Sequence, residues 1–154
     1  MSAQPIAYFS RRYRLSASHR LHVAAFTEEQ NRATYGKCNN PYGHGHNYHI
    51  EVTVRGPVDA VTGMVVDLVE LDTLAKRELL DRFDVANLNL DAAFRETVPS
   101  TENFVIEVER IFREGVPLLG RGSARLHTVR IEETSNNSFE YPAQRVPSGA
   151  KAPS

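Results

Sequence analysis

The chain has 154 residues, of which 41% are hydrophobic and 24% are charged, and its formal net charge is −1. A chain of this length and composition is expected to form one soluble globular domain with a substantial buried core. The near-neutral charge argues against nucleic acid or a membrane surface as a partner, and the single cysteine, with no secretory signal or membrane-length apolar run, favours a cytoplasmic location.

The first part of the chain predicts strands separated by a loop. Residues 6–22 alternate loosely between apolar and polar side chains and carry aromatic residues, which indicates a strand. Residues 26–43 are polar and contain glycine, asparagine and proline, so they are predicted as a loop. Residues 46–55 alternate cleanly, as expected for a half-buried antiparallel strand, and residues 64–68 are expected to return beside it in a hairpin.

The rest of the chain predicts two helices and a second hairpin. Asp67 is placed to cap the first helix, which fades near Phe83. Ser100 or Thr101 is placed to cap the second helix, which carries a continuous apolar stripe. The second hairpin is predicted over residues 124–141, with its turn in the Ser-Asn-Asn segment.

Together these elements predict an α+β domain over residues 1–141, in which a four-stranded antiparallel sheet carries both helices on one face. Residues 142–154 are rich in proline, serine and alanine without an apolar pattern, so they are expected to form a disordered tail. The unpaired edges of such a sheet favour oligomers that join them.

Three of the six histidines and the only cysteine lie within twelve residues of one another. His44 and His46 have the same strand parity, so both imidazoles are predicted on one face if the strand starts slightly before residue 46, whereas His49 points the other way. Two histidines spaced in this way can hold two corners of a tetrahedral zinc site. A third ligand must come from another element, and His19 is favoured over His22 because it shares parity with the more apolar side of the first strand. Three protein ligands leave one zinc position open, as in catalytic sites.

The same residues also have simpler interpretations. A His-x-His pair on a strand is equally compatible with surface hydrogen bonding, and the spacing does not decide between the two. His49 is expected to be solvated, and His22 and His127 are expected to make ordinary polar contacts. Cys38 lies in a polar loop, which argues against simple burial and favours a functional position. Glu133 shares parity with His127 in the last long strand, so its carboxylate either turns inward or stays solvated at the strand end.

Six segments together resemble the 6-pyruvoyltetrahydropterin synthases over nearly the whole chain. They are SASHR (16–20), GKCNNPYGHGHNYHIEVTVRG (36–56), VTGMVVDLVEL (61–71), NLNLD (87–91), STEN (100–103) and IEETSNN (131–137). The gap between Cys38 and the His-Gly-His motif is longer than is usual in the close relatives that make 6-carboxytetrahydropterin. The spacing therefore resembles the pyruvoyl branch more closely.

The resemblance implies a tunnelling fold, in which a small antiparallel sheet backed by two helices trimerises into a barrel and two trimers stack as a homohexamer. It implies a lyase that converts 7,8-dihydroneopterin triphosphate to 6-pyruvoyltetrahydropterin with elimination of triphosphate. The implied cofactors are Zn²⁺ and Mg²⁺. Matched by motif, His19, His44 and His46 correspond to the zinc ligands, and Cys38 corresponds to the catalytic cysteine.

The resemblance also implies how the pterin is bound. Glu133 corresponds to the carboxylate that anchors the pterin ring, and such a carboxylate can make a bidentate contact with an aminopyrimidine. Thr101 and Glu102 occupy positions that line the pterin pocket in the family.

One position departs from the family pattern. Asp84 corresponds to an aspartate that works together with a histidine on the cysteine of a neighbouring subunit, but Val85 stands where that histidine is expected. Valine cannot relay a proton, so three alternatives remain: zinc is the main activator of Cys38, another group such as His22 or His127 substitutes, or catalysis is weak or altered. The alternative functions are 6-carboxytetrahydropterin synthesis and a zinc- and pterin-binding homologue with weakened catalysis.

Overall fold

The computed structural model describes residues 2–145, in which five strands form one sheet. The strands are β1 (Ile6–His19), β2 (His44–Pro57), β3 (Ala86–Asn87), β4 (Arg125–Thr134) and β5 (Asn137–Pro142). Their order is β3-β1-β2-β4-β5, and every pair is antiparallel except β1 with β3. The predicted α+β class is confirmed. The sheet has five strands rather than four, because two residues after the first long helical stretch pair with the edge of β1.

Two predicted helices form where their caps were placed. The α-helical segments are α1 (Glu28–Tyr35), α2 (Leu68–Ala75), α3 (Asp81–Phe83) and α4 (Thr101–Gly115). A π-helical turn at Lys76–Leu80 joins α2 to α3, so this stretch ends at Phe83 as predicted. The Asp67 side chain accepts from the Glu70 N–H, and Ser100 accepts from the Asn103 N–H, which satisfies backbone donors that a helix start leaves free.

Two sequence predictions are wrong in this part of the fold. The predicted loop over 26–43 contains α1, whose capping box joins Thr27 and Gln30; that Thr-x-x-Gln pattern was the available signal. The predicted strand over 64–68 does not form. Asp59 instead donates from its N–H to the Met64 carbonyl and closes a turn, and the end of the segment is taken up by the cap of α2.

The core lies between one face of the sheet and the long helices. Tyr48, Ile50, Val52 and Val54 of β2 are fully buried, as their alternation predicted. The predicted stripe of α4 is also buried and packs on β4 and β5. None of the helices in the described chain has both the length and the hydropathy that a bilayer crossing requires.

A bulge in β4 corrects the predicted parity of His127. Thr53 pairs with Thr128 and Val54 pairs with Leu126, so His127 is an extra residue in the ladder. Its side chain is exposed, with the ring 4.8 Å from that of Tyr8, while Leu126 takes the buried position. The expectation that His127 and Glu133 lie on one face is therefore wrong.

The last described residues remain attached to the domain. β5 continues through Pro142, one residue past the expected boundary at 141. The Ala143 N–H donates to the His127 carbonyl, and the Gln144 N–H donates to the buried carboxylate of Glu109. The expected tail from 146 to 154 lies outside the described residues.

Val85 has a backbone conformation that its side chain disfavours. Its φ is +55°, the side chain is 89% exposed, and its N–H donates to the Ser16 carbonyl. A left-handed conformation costs an L-residue with a β-carbon about 1–2 kcal/mol, whereas asparagine tolerates it. We expect Val85→Asn to stabilise the fold by about 1 kcal/mol and to raise Tm by roughly 2–4 °C.

The matched control for this prediction is Val61→Asn, because Val61 is 88% exposed and has no positive φ. Calorimetry of both variants measures the difference. Equal Tm changes in the two would show that strain at position 85 contributes nothing.

Candidate metal centre

The antiparallel pairing of β1 and β2 brings three histidines together at one end of the sheet. His19 is the last residue of β1 and pairs directly with His44, the first residue of β2, and His46 follows on the same face. One ligand atom from each lies within 4.8 Å of the others. His19 is fully buried, and the other two are half-buried.

The hydrogen bonds of this trio leave nitrogen atoms facing a common centre. His19 donates from Nδ1 to the Pro99 carbonyl at 2.7 Å, which leaves its Nε2 unprotonated in the neutral ring, 2.9 Å from the Nε2 of His44. His46 Nε2 is buried and has no partner within residues 2–145. Buried polar atoms are rarely left unpaired, and a metal-bound histidine commonly donates its second nitrogen to a carbonyl. These residues therefore fit a metal ion.

Burial also favours the protonation state that binds metal. Desolvation lowers the pKa of His19 and His44, and the neighbouring imidazoles lower both values further. A histidine must be neutral to coordinate a metal, so the environment of the trio supports coordination.

A carboxylate lies directly beside the three histidines. Glu133 Oε1 is 3.6 Å from His46 Nε2 and 3.8 Å from His19 Nε2. Thr101, the first residue of α4 and 2% exposed, donates from Oγ1 to the same carboxylate oxygen at 2.5 Å. The carboxylate of Glu133 therefore turns inward, toward the histidines, and is not solvated at the strand end. The next residue, Glu102, is exposed to solvent.

Tyr48 is a polar neighbour that sequence reasoning assigned only to the core. Its hydroxyl is buried without a partner among the described residues, and its ring packs edge-on against His46 and Phe104. Burial raises the pKa of Tyr48, so the hydroxyl stays protonated and can donate. Its shared parity with the His-x-His pair was the signal that could have identified it.

Cys38 and His44 line one cavity of about 1000 Å³. Cys38 lies in a short 3₁₀ turn, Gly36–Asn39, between α1 and β2. The ionisable side chains around it are mostly basic. They are Arg20, His22, Glu28, Arg32 and Lys37. The cavity therefore joins a thiol, one histidine of the trio and an excess of positive charge.

The remaining candidates lie elsewhere in the single chain. The Asp84 carboxylate accepts from the Ser16 N–H at the edge of β1, and neither Asp84 nor Val85 lines the cavity of Cys38. His49 is on the opposite face from the trio, where Arg14 donates to its Nδ1 at 3.5 Å. His127 lies in the β4 bulge and does not line the cavity of Cys38 either.

Comparisons with known proteins identify relatives that cover nearly the whole chain. Residues 8–144 match the family model described as 6-pyruvoyl tetrahydropterin synthase. A 6-pyruvoyl tetrahydrobiopterin synthase of Poecilia reticulata is 40% identical over 140 residues, which are 90% of this chain and 92% of the relative. The enzyme of that name from Drosophila melanogaster is 39% identical over 142 residues, 92% of this chain and 82% of the relative.

The solved structure of a Caenorhabditis elegans 6-pyruvoyl tetrahydropterin synthase is similar in both sequence and fold. Its identity to this chain is 38%, and the TM-score is 0.84 over 94% of this chain and 100% of that one. This agreement shows that the domain has the tunnelling fold.

Proposed function

The chain belongs to the 6-pyruvoyl tetrahydropterin synthase family, and from this premise we propose that it converts 7,8-dihydroneopterin triphosphate to 6-pyruvoyltetrahydropterin with elimination of triphosphate. The observation that carries the proposal is the histidine trio, one member of which, His44, lines the same cavity as Cys38. The reaction must remove protons from carbons next to hydroxyls, and these are the groups that a metal and a base would act on together.

We propose that His19, His44 and His46 hold Zn²⁺, which fits a set of three imidazole nitrogens. When bound, zinc would supply Lewis acidity that favours deprotonated substrate hydroxyls. Among residues 2–145 this trio is the one cluster of three metal-ligating side chains, so Mg²⁺ remains an expectation from the resemblance.

The protein's own side chains divide the remaining work. We propose that Cys38, as a thiolate, removes the carbon-bound proton. Glu133 would bind the aminopyrimidine edge of the pterin, and the hydrogen bond from Thr101 fixes the orientation of that carboxylate. The excess of basic side chains around the cavity complements the triphosphate. Glu102 is exposed, so a role for it depends on substrate or a second copy reaching it.

The homohexamer expected from the resemblance is also a proposal for this chain. The described β3 covers only Ala17 and Ser18 of β1, and β5 pairs only with β4, so both sheet edges are open to other copies. An assembly of this kind would allow Asp84 and Val85 of one copy to approach Cys38 of the next. Light scattering of the purified protein measures the number of copies.

The proposed reaction is tested by incubating the zinc-loaded protein with dihydroneopterin triphosphate and identifying the products by mass. We expect triphosphate release together with the mass of the 6-pyruvoyl product. A product with a shortened side chain would show that the protein instead makes 6-carboxytetrahydropterin. Bound pterin without turnover would identify a binding homologue.

The binding homologue is the second candidate, and Val85 is the observation that favours it. If residue 85 reaches Cys38 of a neighbouring copy, Val85→His restores an imidazole there, and we expect turnover to rise about tenfold or more. Val85→Asn is the matched control, because it relieves the same backbone strain without adding a base. A kcat that is equal in the two variants would contradict the proposed position of residue 85.

Glu133→Gln is expected to weaken pterin binding by about 10- to 100-fold, since it removes a charge-assisted hydrogen bond. Zinc content should not change, because in the proposed site Glu133 binds the pterin and the three histidines bind the metal. Titration with a non-reactive pterin and metal analysis measure both effects. Glu132→Gln is the matched control, because Glu132 pairs with His49, which lies on the face away from the trio. Loss of zinc in Glu133→Gln would make this carboxylate a metal ligand instead.

A further inference from the structure

Cys38 is held next to the segment that leaves β1. The Leu21 N–H donates to the Cys38 carbonyl at 2.9 Å, and Arg20 donates from Nε to the Asn39 carbonyl at 3.2 Å. A third hydrogen bond runs in the other direction, from Asn39 Nδ2 to the Leu21 carbonyl at 2.8 Å. These three hydrogen bonds fasten the 3₁₀ turn to residues 20–22, so the next side chain along, His22, lies on the wall of the same cavity as Cys38.

Asn39 determines which nitrogen of His22 carries the proton. Its Nδ2, in a side chain that is 7% exposed, lies 3.0 Å from His22 Nδ1. That atom must be the amide nitrogen, because the carbonyl of Leu21 can only accept a hydrogen bond. His22 Nδ1 therefore accepts, and the proton of the neutral ring is on Nε2. Among the described residues Nε2 has no other partner, so its N–H is free to donate into the cavity.

This tautomer restricts what His22 can do. A neutral imidazole with its proton on Nε2 cannot remove a proton through that atom, but it can donate to an anion. The other ionisable groups that face the cavity are Arg20, Glu28, Arg32, Lys37, Cys38 and His44. Arg32 is paired with Glu28 at 3.3 Å, and Arg20 contacts a backbone carbonyl. Under the proposed function Cys38 reacts as a thiolate. Its sulfur is therefore the anion in this set to which His22 can donate.

We propose that His22 donates a hydrogen bond from Nε2 to the Cys38 thiolate, with Asn39 fixing its tautomer, and that His22 is a positioning residue for the reaction. The inference rests on the proposed function, in which Cys38 acts as a thiolate. It assigns a stabilising partner to the cysteine within the same chain, independently of residue 85.

The test uses the fact that Cys38 is the only cysteine in the chain. Alkylation by iodoacetamide, followed by intact mass from about pH 5 to 10, reports the ionisation of this thiol alone. In His22→Phe we expect the midpoint of the alkylation rate against pH to move to a higher pH, with alkylation about tenfold slower near neutral pH. In His22→Gln, whose amide can still donate, we expect most of the rate to return. His49→Phe is the control on the opposite face and should match the parent protein.

The proposal is overturned if His22→Phe has the parent profile, or if His22→Gln behaves like His22→Phe. A measurement on the unmodified protein keeps the test independent of folding in the variants. Nitrogen-15 NMR should show the His22 proton on Nε2, and a proton on Nδ1 would overturn the assigned tautomer. Because alkylation needs no turnover, a protein that shows this shift but no lyase activity would contradict only the proposed function.

Discussion

His46→Ala is expected to remove nearly all bound metal, from about one zinc per chain to less than roughly a tenth of that after dialysis, since two imidazoles bind zinc much more weakly than three. The neighbouring carboxylate of Glu133 is assigned to the pterin in the proposed function, so it is not counted as a substitute ligand. His46 Nε2 is buried and unpartnered within residues 2–145, and His19 is held in place by Pro99. Metal analysis of the purified variant measures the effect.

The control for this loss is His49→Ala, because His49 lies three residues along the same strand but on the other face. It should retain zinc at the parent level, whereas His44→Ala should behave like His46→Ala. Zinc that persists in His46→Ala, or that is lost in His49→Ala, would contradict the assignment of the metal centre.

Cys38→Ala is expected to lower kcat for triphosphate release by about 10²- to 10⁴-fold, the range over which a positioned acid or base contributes to catalysis. The zinc content should stay near the parent value, because Cys38 is not a member of the histidine trio. Pterin affinity should also be kept, because the proposed ring anchor is Glu133. Single-turnover kinetics with mass detection of triphosphate separate the chemical step from binding.

The variant Cys38→Ser is the matched control for size and polarity. A serine hydroxyl is a much weaker base than a thiolate, so we expect its kcat to fall into the same range. Turnover in either variant close to that of the parent would exclude Cys38 as the base and leave the bound metal to account for the proton transfer.

Several features of the fold depend on short stretches of sequence, and these were predicted. The strict alternation of β2 determines which of its faces is buried, since a shift by one residue would expose Ile50 and its apolar neighbours. The caps at Asp67 and Ser100 satisfy their own helices through contacts only three residues away. α1 was missed although its capping box is equally local, because the helix is short and buries only Asn31.

Other features depend on partners that are distant in sequence. Residues 64–68 have the composition of a strand, but Asp67 is required as a cap, and both sides of β2, the expected partner, are already paired with β1 and β4. The bulge that exposes His127 exists only in the pairing of β4 with β2, so parity counted along one strand cannot detect it. The hydrogen bond between Thr101 and Glu133 joins residues 32 positions apart.

The sequence by itself determined the buried face of β2, the starts of α2 and α4 and the shared parity of His44 and His46, because these follow from backbone periodicity and from contacts within one turn. Only the tertiary structure decided that His19 pairs opposite His44, that Glu133 turns inward, and that His22 and Cys38 share a cavity. These arrangements depend on strand register and loop packing, in which residues far apart in the chain select one another's positions.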